Sequence, residues 1–234
     1  MTYPAYGAPP PNLRQPSRVE LFFLTHAETG EPLVHGGALG VALAGAVLVD
    51  ELLRPEPRIR LVGELVVVTT SSFSGDPVAD WAVRTLDGRR MSALETSRPT
   101  QLRAALRALA VDAYQRTAAG LVAGDLVQEV TRRRALGGRR RYPPSDAAVI
   151  ARVRGRLCSV LTGHTAPDPQ TCTLGGLMLA LNLTAELYLD GTGLDLRALL
   201  SWMVGRVGAE HPAVQQVITA TDHLIAETAV AVYR

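Results

Sequence analysis

The stretch 33–49, LVHGGALGVALAGAVLV, runs for 17 residues without a charge before Asp50 and Glu51. Such a segment has no polar face to turn to water, so whatever this chain folds into must surround it. Its length sits at the short edge of what crosses a bilayer, and its Gly and Ala content lets neighbouring helices approach closely. We read it as a buried central helix over 37–53, ended by Pro55 and Pro57. The run 173–185 is shorter and reads the same way. With 47% of 234 residues hydrophobic, the chain has enough apolar surface to enclose both.

The rest of the chain supplies the enclosure. Residues 1–17 hold Pro4, Pro9, Pro10, Pro11 and Pro16 and read as a disordered tail, leaving 18–234 as one domain. From Val19 a short apolar helix runs to a turn near Gly30. RIRLVGELVVVT (58–69) alternates about Gly63-Glu64 and predicts a hairpin. Asp76 and Pro77 form a helix start, as N-cap and first helical residue, for a helix to about Leu86. Residues 87–99 are polar and read as loop. A long helix is predicted over 100–122, a second hairpin within 125–144, and further helices near 145–161, 168–189, 194–207 and 211–232. The fold class is therefore mainly α: a helical bundle with central apolar helices ringed by amphipathic ones, carrying two small β-hairpins, one of them basic and projecting.

Catalysis finds little support. All 24 basic residues are Arg, which excludes Schiff-base, P-loop and kinase-type lysine chemistry. Arginine stays protonated and does not act as a tuned base. Ser71, Ser72 and Ser74 lack a G-x-S-x-G elbow. Asp76 and Asp80 read as N-cap and helix polar face. Gly36, Gly37 and Gly40 lie in an apolar helix rather than after a strand, so they form no phosphate cradle. His35 reads as a helix-end histidine with a satisfied hydrogen bond. The five histidines form no metal-ligand pair, and Cys158 and Cys172 have neither zinc nor redox spacing. We expect no enzyme activity, no metal and no cofactor. Without a signal peptide at the N-terminus, the expected location is cytoplasmic, peripherally associated with the inner face of the membrane.

Charge distribution is more informative than the net +2. Over 132–156 lie nine arginines and one acid, Asp146, a net of +8; the remaining 15 arginines and 21 acids sum to −6. Six of the nine stand in RRRALGGRRR. A turn at 135–138 sets Arg134 opposite Arg139, Arg133 opposite Arg140 and Arg132 opposite Arg141. Like charges directly opposed destabilise a ribbon, and this arrangement suits one that meets a polyanion. One candidate is an anionic phospholipid surface, with Leu136 at the tip and Tyr142 at the base placed at headgroup depth. Nucleic acid is the alternative, with the hairpin as a wing after a helix whose base-reading side chains are Gln115 and Arg116. The third is a solvated loop or protein-facing scaffold. The lipid-binding set is Arg132, Arg133, Arg134, Leu136, Arg139, Arg140, Arg141 and Tyr142.

The order VELFFLTHAETG, GALGVALAGAVLVDELL, RIRLVGELVVV, TSSFSGDPVADWAV and GLVAGDLVQEV before the basic hairpin resembles the Golgi phosphoprotein 3 family in its bacterial, actinobacterial form. The most specific pieces are S-G-D-P-V-A-D at 74–80 and G-L-V-x-x-x-L-V at 120–127. The resemblance implies a helical bundle with a membrane-facing hairpin, and an adaptor without catalytic activity. Eukaryotic relatives bind phosphatidylinositol 4-phosphate and link Golgi membranes to protein cargo and to coat or motor proteins. The family's headgroup pocket uses a tryptophan and arginines; its positions fall approximately at His35, Ala44, Val111 and Tyr114 here, and none matches. The resemblance thus implies an anionic membrane as partner, leaving headgroup, cargo and self-association open.

Overall fold

The structure, a computed structural model, describes residues 14–88, 99–132, 139–189 and 192–232. Its elements are α1 (Ser17–Leu24), α2 (Gly36–Leu52), β1 (Ile59–Val62), β2 (Leu65–Val68), α3 (Pro77–Asp87), β3 (Thr100–Gln101), α4 (Leu102–Ala123), β4 (Val130–Arg132), β5 (Arg139–Arg141), α5 (Ala148–Leu161), α6 (Pro169–Ala180), α7 (Leu196–Glu210) and α8 (Pro212–Val232), with a 3-10 turn at Thr184–Leu187. The fold is mainly helical with two small antiparallel sheets.

Helix α2 is the axis. It packs on α1, α3, α4, α6 and α8, and from Leu39 to Val49 its side chains are buried all round. Small residues make this crowding feasible. A Cβ on Gly40 would lie 2.6 Å from the Ala110 carbonyl oxygen of α4, so α2 and α4 approach backbone to backbone there. Helix α6 is the second buried helix, as the sequence predicts. The predicted run 168–189 breaks, however. Asn182 adopts φ +55°, a left-handed conformation that ends the helix, and the chain resumes as the 3-10 turn. No helix among the described residues is long and apolar enough to cross a membrane.

The first hairpin has the predicted turn: Val62 pairs with Leu65, leaving Gly63-Glu64 between them with Gly63 at φ +59°. A third strand was not predicted. Thr100 and Gln101, expected in the long helix, pair with β2, and the Glu64 carbonyl accepts the Leu102 amide, so α4 begins two residues late. At the N-terminus, residues 14–17 of the expected tail are joined to the body. Arg14 pairs with Asp168 at 2.7 Å, and the Ser17 amide donates to Asp50 at 2.7 Å. Residues 1–13, and 89–98 of the expected loop, lie outside the described residues.

Asp76 caps α3 as predicted, accepting from the Val78 and Ala79 amides. Asp80, read as polar face, is instead 3% exposed. Its Oδ1 accepts from Arg58 Nη1 at 2.5 Å and from the Ser74 amide and hydroxyl at 3.0 and 2.7 Å. Arg58 also donates Nε and Nη2 to the two oxygens of buried Glu51, each at 2.8 Å, and Nη1 to the Ser72 carbonyl. Burial would raise the Asp80 pKa, but the hydrogen bonds from Ser74 and Arg58 outweigh it and hold the carboxyl below the ordinary range. The S-G-D-P-V-A-D motif is therefore structural: it locks the loop before α3 onto α2 and β1.

Candidate functional site

Phe22 lies in the last turn of α1, and Thr25 and His26 follow just past its end, one turn on; these begin the platform under the second hairpin. The His26 ring stacks on Phe22 at 3.9 Å between centroids and lies parallel to Tyr114 of α4 at 5.8 Å. Tyr142, just after β5, meets Tyr114 and Phe22 edge-on at 6.2 and 6.1 Å. His26 Nδ1 donates to the Phe22 carbonyl at 2.7 Å, which leaves Nε2 to accept from the Tyr114 hydroxyl at 3.3 Å. Burial pushes His26 down to about 4, against a smaller opposing effect of the Phe22 hydrogen bond, and pushes Tyr114 up to about 12, assisted by Tyr142.

Tyr142 is 3% exposed. Its expected place at headgroup depth is thus corrected: the ring is the hairpin's root. The backbone is held as tightly. The Tyr142 amide donates to the Gly30 carbonyl at 3.0 Å, and Gly30, at φ +76°, lies against the 142–143 peptide so closely that a Cβ would come within 2.1 Å of the Pro143 nitrogen. Gly30→Ala therefore combines a left-handed strain with a backbone clash. We expect it to cost about 2–4 kcal/mol in thermal unfolding and to expose the Tyr142 amide to hydrogen exchange.

The hairpin's register also differs from expectation. The pairs are Val130 with Arg141, Thr131 with Arg140 and Arg132 with Arg139. Only the last is the predicted kind of like-charge pair; Arg133 and Arg134 do not stand opposite Arg140 and Arg139. The register is set at the root, where Val127 bridges Pro144 and the Gln128 amide donates to the Pro143 carbonyl, and the slip of two residues relieves two Arg–Arg repulsions. Arg133, Arg134 and Leu136 lie outside the described residues.

At the root lies a cleft of about 450 Å³, bordered by Glu31, His35, Tyr114, Gln115, Arg140 and Arg141, among others. His35 caps α2, its Nδ1 accepting the Gly37 amide at 3.2 Å, as the sequence suggested. Arg141 pairs with Glu31, and Arg140 with Glu129 at 3.3 Å. Further along, Arg152 pairs with Asp146 and Arg156 with Glu20, whose carboxyl is pushed up by burial against the pull of Arg156. Among the described residues, four of the nine arginines in 132–156 thus have carboxylate partners, three of those acids lying outside the segment, and the basic end is less bare than its composition suggests.

A helical bundle in which a basic hairpin follows α4 is what the resemblance implied, and the family comparison decides the matter: the model of Golgi phosphoprotein 3 (GPP34) matches residues 19–221. The chain belongs to the Golgi phosphoprotein 3 family. Comparison with the curated proteins finds no match. Of the positions to which the Golgi phosphoprotein 3 headgroup pocket was carried, His35 and Tyr114 border the cleft together. Ala44 lies fully buried in α2 and Val111 on the outer side of α4, 79% exposed, so neither helps to form it. Sequence reasoning missed Glu31, Glu129 and His26. The i, i+4 spacing of Phe22 and His26 at a helix end was the one available signal for the stack.

His26 gives the site a pH dependence. A histidine whose folded pKa is depressed binds fewer protons folded than unfolded, so stability falls as pH drops from its unfolded value of 6.5 towards about 4, by about 3 kcal/mol at most, and no further below. His26→Phe keeps the stack, and the Phe22 carbonyl retains its Thr25 donors. Urea unfolding of this variant between pH 7 and 4 is expected to lack that part of the slope; an unchanged slope would place the titration elsewhere.

Proposed function

We propose that this Golgi phosphoprotein 3 family member is a non-catalytic, peripheral membrane-binding adaptor that docks on anionic phospholipid through its arginine hairpin. The observation that carries the reading is the combination of a hairpin rich in fixed cations, rooted rigidly beside an arginine-bearing cleft, with a remainder of net −6. Guanidinium holds phosphate oxygens with two bonds and keeps its charge at any physiological pH. Adhesion of this kind is electrostatic and places the protein at the inner, anionic face of a membrane, where its other surfaces remain open to a protein cargo.

Vesicle flotation tests it. With about 30% phosphatidylglycerol in phosphatidylcholine the protein is expected to float, and to be released as salt rises to about 0.5 M. Equal recovery on neutral vesicles would sink the reading. The nucleic-acid alternative loses support because Arg116 lies over the Trp81 ring at 5.6 Å, on the α3 side, leaving Gln115 alone of the two base-reading residues at the cleft. A mobility shift with duplex DNA at physiological salt would revive it.

A further inference from the structure

The two ion pairs at the hairpin root are unequal. The Arg140 side chain is 61% exposed and its pair with Glu129 is solvated and weak. The Arg141 side chain is 22% exposed. Its Nη2 meets Glu31, while its Nε is buried and has no hydrogen-bond partner among the described residues. Nε and Nη2 form the side of a guanidinium that grips a carboxylate or phosphate through two parallel bonds. Here one prong is taken by Glu31 and the other is unmet, and Glu31 and Arg141 both border the cleft.

We propose that Glu31 is a built-in competitor for the cleft: its carboxylate occupies the Arg141 fork that a phosphate oxygen would take, so a phosphate-bearing ligand enters only by displacing it. The proposal rests on the docking reading above and adds a charge threshold to it. A tethered carboxylate is present at high effective concentration, so a lone monovalent anion competes poorly. A dianionic phosphate, or a bilayer face presenting many phosphates to the hairpin at once, has the charge to displace it. The shared chemistry is the phosphate group; a lipid headgroup and a free phosphate are separated by experiment.

Glu28 provides the control. It lies in the same loop, is exposed, and forms no ion pair with described residues. Wild type, Glu31→Gln, Glu28→Gln and Arg141→Gln are compared, with Glu31→Gln also placed in the Arg141→Gln background. One arm measures flotation on phosphatidylglycerol vesicles; the other titrates inorganic pyrophosphate by calorimetry. Glu31→Gln is expected to bind about fivefold tighter, Glu28→Gln within about twofold of wild type, and the gain to vanish without Arg141. Glu31→Asp retains the charge on a shorter arm and is expected to fall between wild type and Glu31→Gln, a check that does not depend on removing a carboxylate. Equal gains from Glu31→Gln and Glu28→Gln, no gain from Glu31→Gln, or a gain that persists without Arg141 would each overturn the proposal. If no protein floats but Glu31→Gln gains pyrophosphate affinity through Arg141, the docking reading fails and the competitor stands. If neither arm responds, both fall.

Discussion

Arg58→Met is expected to lower the unfolding free energy by about 3–5 kcal/mol, the largest loss from any single substitution considered for this chain. Arg58 is 3% exposed, and removing it leaves the carboxylate of Asp80 without a counter-ion and that of Glu51 with only the longer contact to Arg54, at 3.4 Å. A domain of this size is stable by about 5–15 kcal/mol in all, so the variant sits near the limit of folding. Urea unfolding at neutral pH is the measurement, read as a fall in midpoint at unchanged slope. Adding Glu51→Gln and Asp80→Asn to Arg58→Met is expected to restore part of the loss, because neutral amides are far less costly to bury than bare carboxylates. A loss below about 1 kcal/mol would mean that water reaches the cluster.

Docking gives the second large effect. If each arginine near an anionic surface contributes about 1 kcal/mol, six set an upper bound of about 6 kcal/mol before screening. The structure divides them unequally. Arg140 and Arg141 are engaged by Glu129 and Glu31, whereas Arg132 and Arg139 stand at the far end of the described pairing, with Arg133 and Arg134 between them in sequence. Replacing Arg132, Arg133, Arg134 and Arg139 with Ser is expected to weaken binding to phosphatidylglycerol vesicles by about a hundred- to a thousandfold, and replacing Arg140 and Arg141 by about tenfold or less. Equal losses from the two sets would move the main attraction from the hairpin's end to its root.

How far these features could be read in advance depended on the range of the interaction behind them. Local chemistry was legible. The uncharged run became α2, Gly63-Glu64 became a two-residue turn, and Asp76-Pro77 opened α3 with the predicted cap. Pairings across the chain were not. Nothing near Asp80 in sequence announces Arg58, 22 positions away, so a helix-face aspartate and a buried one looked alike. The hairpin's register went wrong because the turn was placed by symmetry of the two Arg triplets, while the register is fixed below, by Val127, Pro144 and the Gly30 carbonyl. The same long-range contact takes Tyr142 inward. At the site, the cationic composition was visible and its partial neutralisation by Glu31 and Glu20, more than a hundred residues upstream, was not.

The clamp at Gly30 and Tyr142 has a mechanical consequence. A basic segment on a loose tether would stick to an anionic sheet and let the body swing to any angle. Here three paired residues on each strand span about 10 Å from a fixed root, comparable with the roughly 8 Å over which physiological salt leaves fields unscreened. On the docking proposed above, screening would leave the negative body little repelled at contact distance, yet it would be pushed back whenever it tipped towards the sheet. Pull at one pole and push at the other form a couple, and a rigid joint transmits it. Docked as proposed, the molecule would right itself like a weighted float, presenting the same pole to the solvent in every copy.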